Sequence, residues 1–143
     1  FISDKNRRNV CHCYLGHYNT ITDEISWVNG GHQPALLRDK NGKFEQVESA
    51  APPMGVIQQK NKSLYKINRT KLNGKRFYAF TDGLSESLDS KGNEIGIEGS
   101  IKIIEKNFND DVSKQLSNIA KDVEKSSGKN KLSDDLTLIA IGK

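Results

Sequence analysis

Residues 76–87 read RFYAFTDGLSES, an apolar run that ends abruptly at an aspartate followed by a glycine. Apolar side chains occupy both odd and even positions of this run, which is typical of a strand covered on both faces. The run LTLIAI at residues 136–141 has the same property. We therefore predict two central strands, one ending just before Asp82 and the other lying close to the end of the chain.

Elsewhere in the first two thirds of the chain, strand and turn signals predominate. Three pairs of short apolar runs are each separated by a turn sequence, which predicts β-hairpins at residues 9–29, 34–47 and 63–83. The second and third turns carry Asn-Gly, at 41–42 and 73–74, and this pair suits the positive φ angles of tight hairpin turns.

Two helical patterns follow these strands. In each, apolar residues recur three or four positions apart and so form one stripe of an amphipathic helix. The first stripe is Ile97, Ile101, Ile104 and Phe108, and the second is Val112, Leu116, Ile119, Ala120 and Val123. Asn109, Asp110 or Asp111 can cap the second helix, and Gly128 can end it. Strands followed by helices indicate an α+β protein.

Length and composition exclude several classes of protein. The chain has 143 residues, of which 34% are hydrophobic; this suits one domain, and no run approaches the length of a membrane span. The first residues do not form a signal peptide, so a cytoplasmic protein without membrane association is expected. The net charge of +4 comes from 22 basic and 18 acidic residues that are well mixed, so nucleic-acid binding is not indicated.

Two local features have more than one interpretation. Cys11 and Cys13 flank His12 on a predicted strand, which puts the histidine on the opposite face; neither common structural zinc spacing occurs, and free thiols are expected. Residues 60–76 contain seven basic residues and no acidic residue. This stretch is either the solvated edge of a sheet, where lysines discourage aggregation, or a docking surface for an acidic protein.

The aspartates at the two central strands indicate a metal site. Asp82 stands at the exit of one strand, and Asp134 and Asp135 stand at the entrance of the other. If the strands pair side by side and antiparallel, these ends adjoin and Asp82 and Asp134 converge. Clustered carboxylates suit Mg²⁺ or Mn²⁺. The alternative is that Asp82 is an ordinary turn residue that hydrogen-bonds its own backbone.

Four motifs together carry a resemblance to a known family. They are WVNGGHQPALLRD at 27–39, PMGV at 53–56, FYAFTDGLSES at 77–87 followed by GNEIG, and SDDLTLIAIG at 133–142. In their order and approximate spacing they resemble the bacterial metal-dependent serine/threonine phosphatases of the PPM superfamily. The branch is that of stage II sporulation protein E and the stress-response regulator phosphatases.

The resemblance implies a fold and a metal centre. The fold is an α-β-β-α four-layer sandwich of antiparallel sheets flanked by helices, with two manganese or magnesium ions at one end. Asp82 and Asp134 take the positions of metal ligands in the family. Asp135, whose position is asparagine in many relatives, takes the place of an auxiliary ligand. The implied mechanism is direct attack on the phosphate ester by metal-activated water.

The resemblance also implies a segment ahead of residue 1. Family members carry there a motif whose aspartate bridges both metals, then a Gly-His-Gly turn and a long helix, and residues 1–19 contain no match to it. We expect residues 1–143 to be the C-terminal two thirds of a single phosphatase domain that lacks its N-terminal strand-helix segment. Because the bridging aspartate is then missing, this chain by itself is expected to be inactive.

Other polar residues near these motifs need their own interpretation. His32 follows the turn sequence NGG at 29–31, and it is either a structural histidine or a general acid or hydrogen-bond donor near the phosphate. Ser85 and Ser87 are expected to cap the next turn rather than act as nucleophiles, since no activating His or Lys is adjacent. Residues 89–96, DSKGNEIG, lack the spacing of a calcium-binding loop and are interpreted as a turn.

The function that the resemblance implies is signal transduction. The expected reaction is hydrolysis of phosphoserine or phosphothreonine on a small anti-sigma-factor antagonist, by a polypeptide that also carries an upstream sensor or receiver domain. A homodimer is compatible with this arrangement, whereas nucleic-acid and membrane partners are not expected. The alternative is a degenerate phosphatase fold that binds a regulatory partner protein without catalysis.

Overall fold

A computed structural model of the chain describes residues 10–47, 51–57, 64–89, 91–127 and 135–142. Within these ranges the secondary structure elements are β1 (Cys13–Asn19), β2 (Glu24–Gly30), β3 (Ala35–Arg38), β4 (Phe44–Val47), β5 (Asn68–Lys71), β6 (Arg76–Phe80), α1 (Asp82–Ser85), α2 (Gly96–Lys106), α3 (Val112–Ser127) and β7 (Leu138–Gly142). The described part of the chain thus combines antiparallel sheets with helices, which confirms the α+β class.

The chain divides into two compact units, and each contains one sheet. The first unit comprises Phe1–Pro34 and Glu48–Asn73, and the second comprises Ala35–Val47 and Gly74–Lys143. The four-layer stacking and the single domain that the resemblance implies stay predictions. The same holds for the segment expected ahead of residue 1.

The first unit is built on an antiparallel sheet with the strand order β1-β2-β5. β1 and β2 pair along their whole length, beginning with Cys13 opposite Gly30. Along β2 the alternate residues Ile25 and Trp27 are buried, as expected for a strand with one covered face. The predicted hairpin at residues 9–29 is therefore confirmed.

The second unit is built on an antiparallel sheet with the strand order β4-β3-β6-β7. The predicted hairpin at 34–47 is the β3–β4 pair. Side chains from the sheet and from all three helices form one core, and its buried members are Leu36, Tyr78, Phe80, Leu84, Ile104, Ile119 and Val123. Each such side chain stabilises the fold by about 1.5–3 kcal/mol through removal of apolar surface from water.

The two predicted central strands differ in burial. β6 lies between β3 and β7, and Phe77, Tyr78 and Phe80 are all at most 3% exposed, so the prediction for this strand is confirmed. The prediction for β7 is wrong in the part of the chain that the structure describes. β7 is an edge strand there. Leu138 and Ala140 pack against the core, whereas Ile139 between them points to the other face and is 51% exposed.

The predicted third hairpin, at residues 63–83, is wrong. Its two strands, β5 and β6, belong to different sheets, although Asn73 and Gly74 between them do adopt positive φ angles of 50° and 80°. The physical reason is a competing tether. Asp23 in the β1–β2 turn accepts hydrogen bonds from the Leu72 amide on its carbonyl and from the Asn73 amide on its carboxylate, which holds the end of β5 beside β2.

Both predicted helices form, with changes at their ends and faces. Asp111 is the residue that caps α3, since its carboxylate accepts a hydrogen bond from the Lys114 amide. Phe108 was expected on the α2 stripe but lies beyond the end of that helix, and Ala120 was expected to face the core of the unit but is exposed. Gly128 lies outside the described residues.

A buried polar network takes the place that an apolar residue would fill on α3. The side-chain oxygen Oε1 of Gln115 accepts hydrogen bonds from the Arg76 guanidinium at 2.8 Å and from the Tyr78 hydroxyl at 3.1 Å. The side-chain nitrogen Nε2 of Gln115 donates to the Ile104 backbone carbonyl oxygen at 3.2 Å. Arg76 is only 2% exposed and also donates to the carbonyl oxygens of residues 109 and 110. Arg76 therefore does not belong to the solvated basic stretch in which the sequence places it.

No described helix combines the length and the apolar composition that a membrane crossing requires.

We predict that Ile104→Ala lowers the free energy of unfolding by about 2–5 kcal/mol, because the side chain is fully buried in the core of the second unit. Lys102→Ala, on the exposed face of the same helix, is the control and should change it by less than about 0.5 kcal/mol. Denaturant unfolding measures both. Equal losses for the two variants would mean that α2 does not pack as described.

Candidate functional site

The end of β6 and the beginning of β7 lie side by side. The antiparallel register runs from Arg76 opposite Gly142 to Phe80 opposite Leu138. One residue further, the Thr81 amide donates to the Thr137 carbonyl oxygen at 3.0 Å. The predicted antiparallel pairing of these strands is therefore confirmed, and the chain leaves β6 beside the segment that leads into β7.

Asp82 is the first residue of the short helix α1, and its side chain is exposed. Its carboxylate forms no hydrogen bond or ion pair with another described residue, whereas its carbonyl oxygen accepts hydrogen bonds from the Glu86 amide and the Ser85 hydroxyl. Leu84, two residues further, is fully buried in the core. The buried leucine anchors α1, so the strand-end aspartate projects from a fixed support.

Of the two aspartates before β7, the structure describes one. Asp135 is exposed and lies two residues ahead of Thr137, the residue that pairs with Thr81. Asp134 lies outside the described residues. The convergence of the Asp82 and Asp134 carboxylates, and the roles of Asp82, Asp134 and Asp135 as metal ligands, therefore stay predictions.

Thr81 lies inside the third motif, but the sequence analysis assigned it no role at this site. It sits between β6 and α1, and its hydroxyl group lies within hydrogen-bond distance of both the Asp135 carbonyl oxygen and the Thr137 amide, at 2.9 Å in each case. The available signal was its residue type and position, since a threonine directly between a strand and a helix can bond to backbone on either side.

The donor groups at these strand ends fit a hard divalent cation in their chemistry. Asp82 and Asp135 are exposed carboxylates on adjacent chain segments, and Mg²⁺ or Mn²⁺ typically uses one or two carboxylates and keeps several waters. Among the described residues, no group of three or more His, Cys, Asp or Glu side chains comes together. The described residues could thus hold one ion with a water-rich shell, and further ligands would have to come from other parts of the protein.

The serines after Asp82 are engaged with the backbone of α1. The Ser85 hydroxyl donates to the Asp82 carbonyl oxygen at 3.2 Å, and the buried Ser87 hydroxyl donates to the Gly83 carbonyl oxygen at 2.7 Å. These bonds agree with the expectation that both serines stabilise the turn.

The loop at residues 89–96 is a turn organised by a single carboxylate. Asp89 accepts hydrogen bonds from the amides of Asn93 and Lys91, and these bonds hold the pKa of its carboxyl group below the usual value. Asp39 in the β3–β4 turn does the same with the amides of Lys43 and Asn41, and its pKa is lowered for the same reason. Neither carboxylate therefore resembles that of Asp82, which accepts no such bonds from the residues that the structure describes.

His32 is held in the first unit through its backbone. The Asn29 side chain accepts a hydrogen bond from the His32 amide at 2.7 Å and donates to the carbonyl oxygens of His32 and Gln33. The imidazole Nδ1 lies 3.2 Å from the Gln33 carbonyl oxygen, and the ring meets Tyr14 edge to face. These contacts favour the structural interpretation of His32; a role near a phosphate stays a prediction.

Two further sequence features also fall in the first unit. Cys11 and Cys13 are free thiols, the first exposed and the second half-buried. Of the basic stretch at 60–76, Lys66, Arg69 and Lys71 are exposed on or beside β5, which is an edge strand in the described sheet. This placement suits a solvated edge and leaves the docking surface open.

Comparison with known proteins connects this arrangement to a family. The chain matches the family model described as stage II sporulation protein E (SpoIIE) over residues 2–143. It is 26% identical over 90 residues to the phosphoserine phosphatase RsbP of Bacillus subtilis (strain 168), a match that covers 63% of this chain and 22% of RsbP. The chain thus spans less than a quarter of that relative.

Solved structures show the same fold. The SiaA-PP2C domain of Pseudomonas aeruginosa matches 85% of this chain and 47% of its own, with a TM-score of 0.69 and 14% identity. The manganese-presoaked phosphatase domain of SpoIIE from Bacillus subtilis matches 92% and 55%, with a TM-score of 0.65 and 14% identity. The RsbU and RsbW domains of a Mycobacterium tuberculosis protein match 89% and 34%, with a TM-score of 0.63 and 22% identity. The fold is therefore PP2C-like.

We predict that Asn29→Ala destabilises the protein by about 1–3 kcal/mol, because the buried turn loses the amide that satisfies its backbone groups. His32→Ala keeps those backbone groups paired and should cost no more than about 1 kcal/mol, the scale of one aromatic contact. Denaturant unfolding compares the two variants. If His32→Ala were the more damaging, the imidazole rather than Asn29 would hold this turn.

Proposed function

This chain belongs to the SpoIIE family of bacterial PP2C-type serine phosphatases, and from that premise we propose that it contributes metal ligands to the active site of a protein phosphatase. The proposed reaction is hydrolysis of a phosphoserine or phosphothreonine on a signalling partner protein. The observation that carries the proposal is the pairing of β6 with β7, which sets Asp82 beside the segment that carries Asp135.

The proposed metal ligands are Asp82 and Asp134, with Asp135 as an auxiliary group. When bound, two manganese or magnesium ions would supply an activated water and stabilise the charge on the phosphoryl group. The exposure of Asp82 and its lack of other described partners leave its carboxylate available for such a role. The anchoring of α1 by Leu84 keeps the Asp82 backbone in place, so on metal binding only the side chain would need to be ordered.

The serine hydroxyls near Asp82 are not proposed as nucleophiles. Ser85 and Ser87 both donate to carbonyl oxygens within α1, so the hydrogen bond that each hydroxyl donates goes to a backbone acceptor, which is not a general base. This arrangement supports direct attack by water, without a covalent intermediate on the protein.

The proposed substrate is a phosphorylated anti-sigma-factor antagonist, in a cytoplasmic stress-response pathway. The relatives support this class of partner: one is a phosphoserine phosphatase, and another contains RsbU and RsbW domains in one protein. We also propose that the domain works downstream of a sensor or receiver domain of the same polypeptide, with a homodimer as its assembly. Nucleic acids and membranes are not among the proposed partners.

A second candidate function is a binding module that recognises the partner without turnover. Fold similarity cannot separate the two candidates, because a degenerate relative would keep the same sheets and helices.

We predict manganese-dependent hydrolysis of p-nitrophenyl phosphate by a longer chain that also carries the bridging-aspartate motif expected ahead of residue 1. Asp82→Ala or Asp134→Ala should lower kcat/KM by at least about 100-fold, the scale of losing one electrostatic contact to the transition state. Glu98→Ala, which removes an exposed carboxylate from α2, is the control and should leave the rate within about twofold.

The same assay separates the two candidate functions. An enzyme loses activity in both aspartate variants and on chelation of manganese. A binding module stays inactive on the small ester and on phosphorylated antagonist proteins, yet still binds such a protein in a pull-down with purified components.

A further inference from the structure

In the β6–β7 ladder, the side-chain hydroxyl of Thr81 accepts the hydrogen bond that its backbone carbonyl oxygen would normally accept. In an antiparallel sheet, two hydrogen-bonded residues exchange both of their N–H···O bonds. Here the Thr81 amide donates to the Thr137 carbonyl oxygen at 3.0 Å, but the Thr137 amide donates to the Thr81 hydroxyl oxygen at 2.9 Å. The Thr81 carbonyl oxygen instead accepts the Leu84 amide, at 3.2 Å.

This exchange lets the strand end and the helix begin at one residue. The Thr81 carbonyl oxygen is used for the first turn of α1, and the ladder keeps its second bond through the hydroxyl oxygen. Without the hydroxyl, Thr137 would lose its partner, and the carbonyl could not serve both the ladder and the helix equally well. The geometry of the Asp82 backbone follows directly, since Asp82 is the next residue.

The hydroxyl group also reaches the segment that carries the other aspartates. Its proton is donated to the Asp135 carbonyl oxygen at 2.9 Å. A single hydroxyl therefore accepts one bond and donates another, and a serine or threonine hydroxyl can do both at once. Valine has nearly the same shape but can make neither bond.

The usual role of a threonine at this position is not the one observed. Thr81 occupies the N-cap of α1 with an extended backbone, φ −75° and ψ 163°, yet its side chain makes no capping hydrogen bond to the helix. Threonine at an N-cap typically accepts a bond from an amide of the first helical turn. The hydroxyl is directed across to Asp135 and Thr137 instead, in the segment that leads into β7.

We propose that Thr81 is a positioning residue for the metal site, through a clamp formed by its hydroxyl, the Asp135 carbonyl oxygen and the Thr137 amide. The clamp fixes the spacing between the Asp82 backbone and Asp135, and thereby sets the affinity for the divalent ion. This inference rests on the proposed function. Groups that orient metal ligands without touching the metal commonly change metal affinity by about 10–100-fold when removed.

The test measures manganese affinity by isothermal titration on the longer chain that carries the upstream motif. We expect Thr81→Val to weaken manganese binding by at least about 10-fold, and Thr81→Ser, which keeps the hydroxyl, to stay within about threefold of the parent. The control is Thr22→Val in the β1–β2 turn, because Thr22 is exposed and its hydroxyl makes no hydrogen bond to a described residue. Thr81→Ala serves in place of Thr81→Val if the valine variant does not fold.

A second readout separates positioning from a general loss of stability. For a positioning residue, phosphatase activity of Thr81→Val should need more manganese for half-maximal rate, and at saturating manganese kcat should return to within about threefold of the parent. A loss of kcat that saturating manganese does not restore would overturn the proposal, as would unchanged manganese affinity in both Thr81→Val and Thr81→Ala.

The outcomes also separate this inference from the proposed function. If the parent chain binds manganese and the hydroxyl-lacking variants bind it equally well, the clamp is refuted and the metal site stands. If the parent chain itself neither binds manganese nor hydrolyses the ester, both proposals fall.

Discussion

The antiparallel pairing of β6 with β7 is the constraint on which the rest of the candidate site depends. Asp82, just after one strand, and Asp135, ahead of the other, are 53 residues apart in sequence, and this pairing brings their chain segments side by side. The pairing is fixed by side-chain burial as well as by backbone bonds. Tyr78 and Phe80 are buried in the core, so slipping the register by one residue would turn them out of it.

The two ends of β6 are stabilised by different chemistry. At its start, Arg76 is buried and hydrogen-bonded to Gln115 and to carbonyl oxygens of the loop between α2 and α3. At its end, apolar packing stabilises the strand, because Leu84 of α1 is buried in the same core as Ile104. The polar network joins the sheet to α3 at one end, and the other end is left with an exposed carboxylate on a rigid base. A fold arranged in this way can present Asp82 to solvent without losing its own packing.

Local patterns in the sequence predicted much of this arrangement. The apolar runs of the first two hairpins, the Asn-Gly turn at 41–42, the apolar run before Asp82 and the helical stripes each reflect forces between near neighbours, and the structure confirms the elements they indicate. What could not be predicted depends on distant partners. The hydrogen bonds to Asp23 hold β5 in a different sheet from β6. Arg76 and Gln115 can be buried because they hydrogen-bond each other and further partners that are distant in sequence. The hydrogen bonds of the Thr81 hydroxyl could not be predicted from the motifs for the same reason, since both of its partners lie more than 50 residues away in sequence.

The most direct test of this account is the position of manganese in a crystal of the longer chain, located by anomalous scattering at the manganese edge. The account predicts an anomalous peak about 2 Å from a carboxylate oxygen of Asp82 and of Asp134, at the junction of β6 and β7. Strong manganese peaks bound elsewhere, with Asp82 left in solvent, would contradict it.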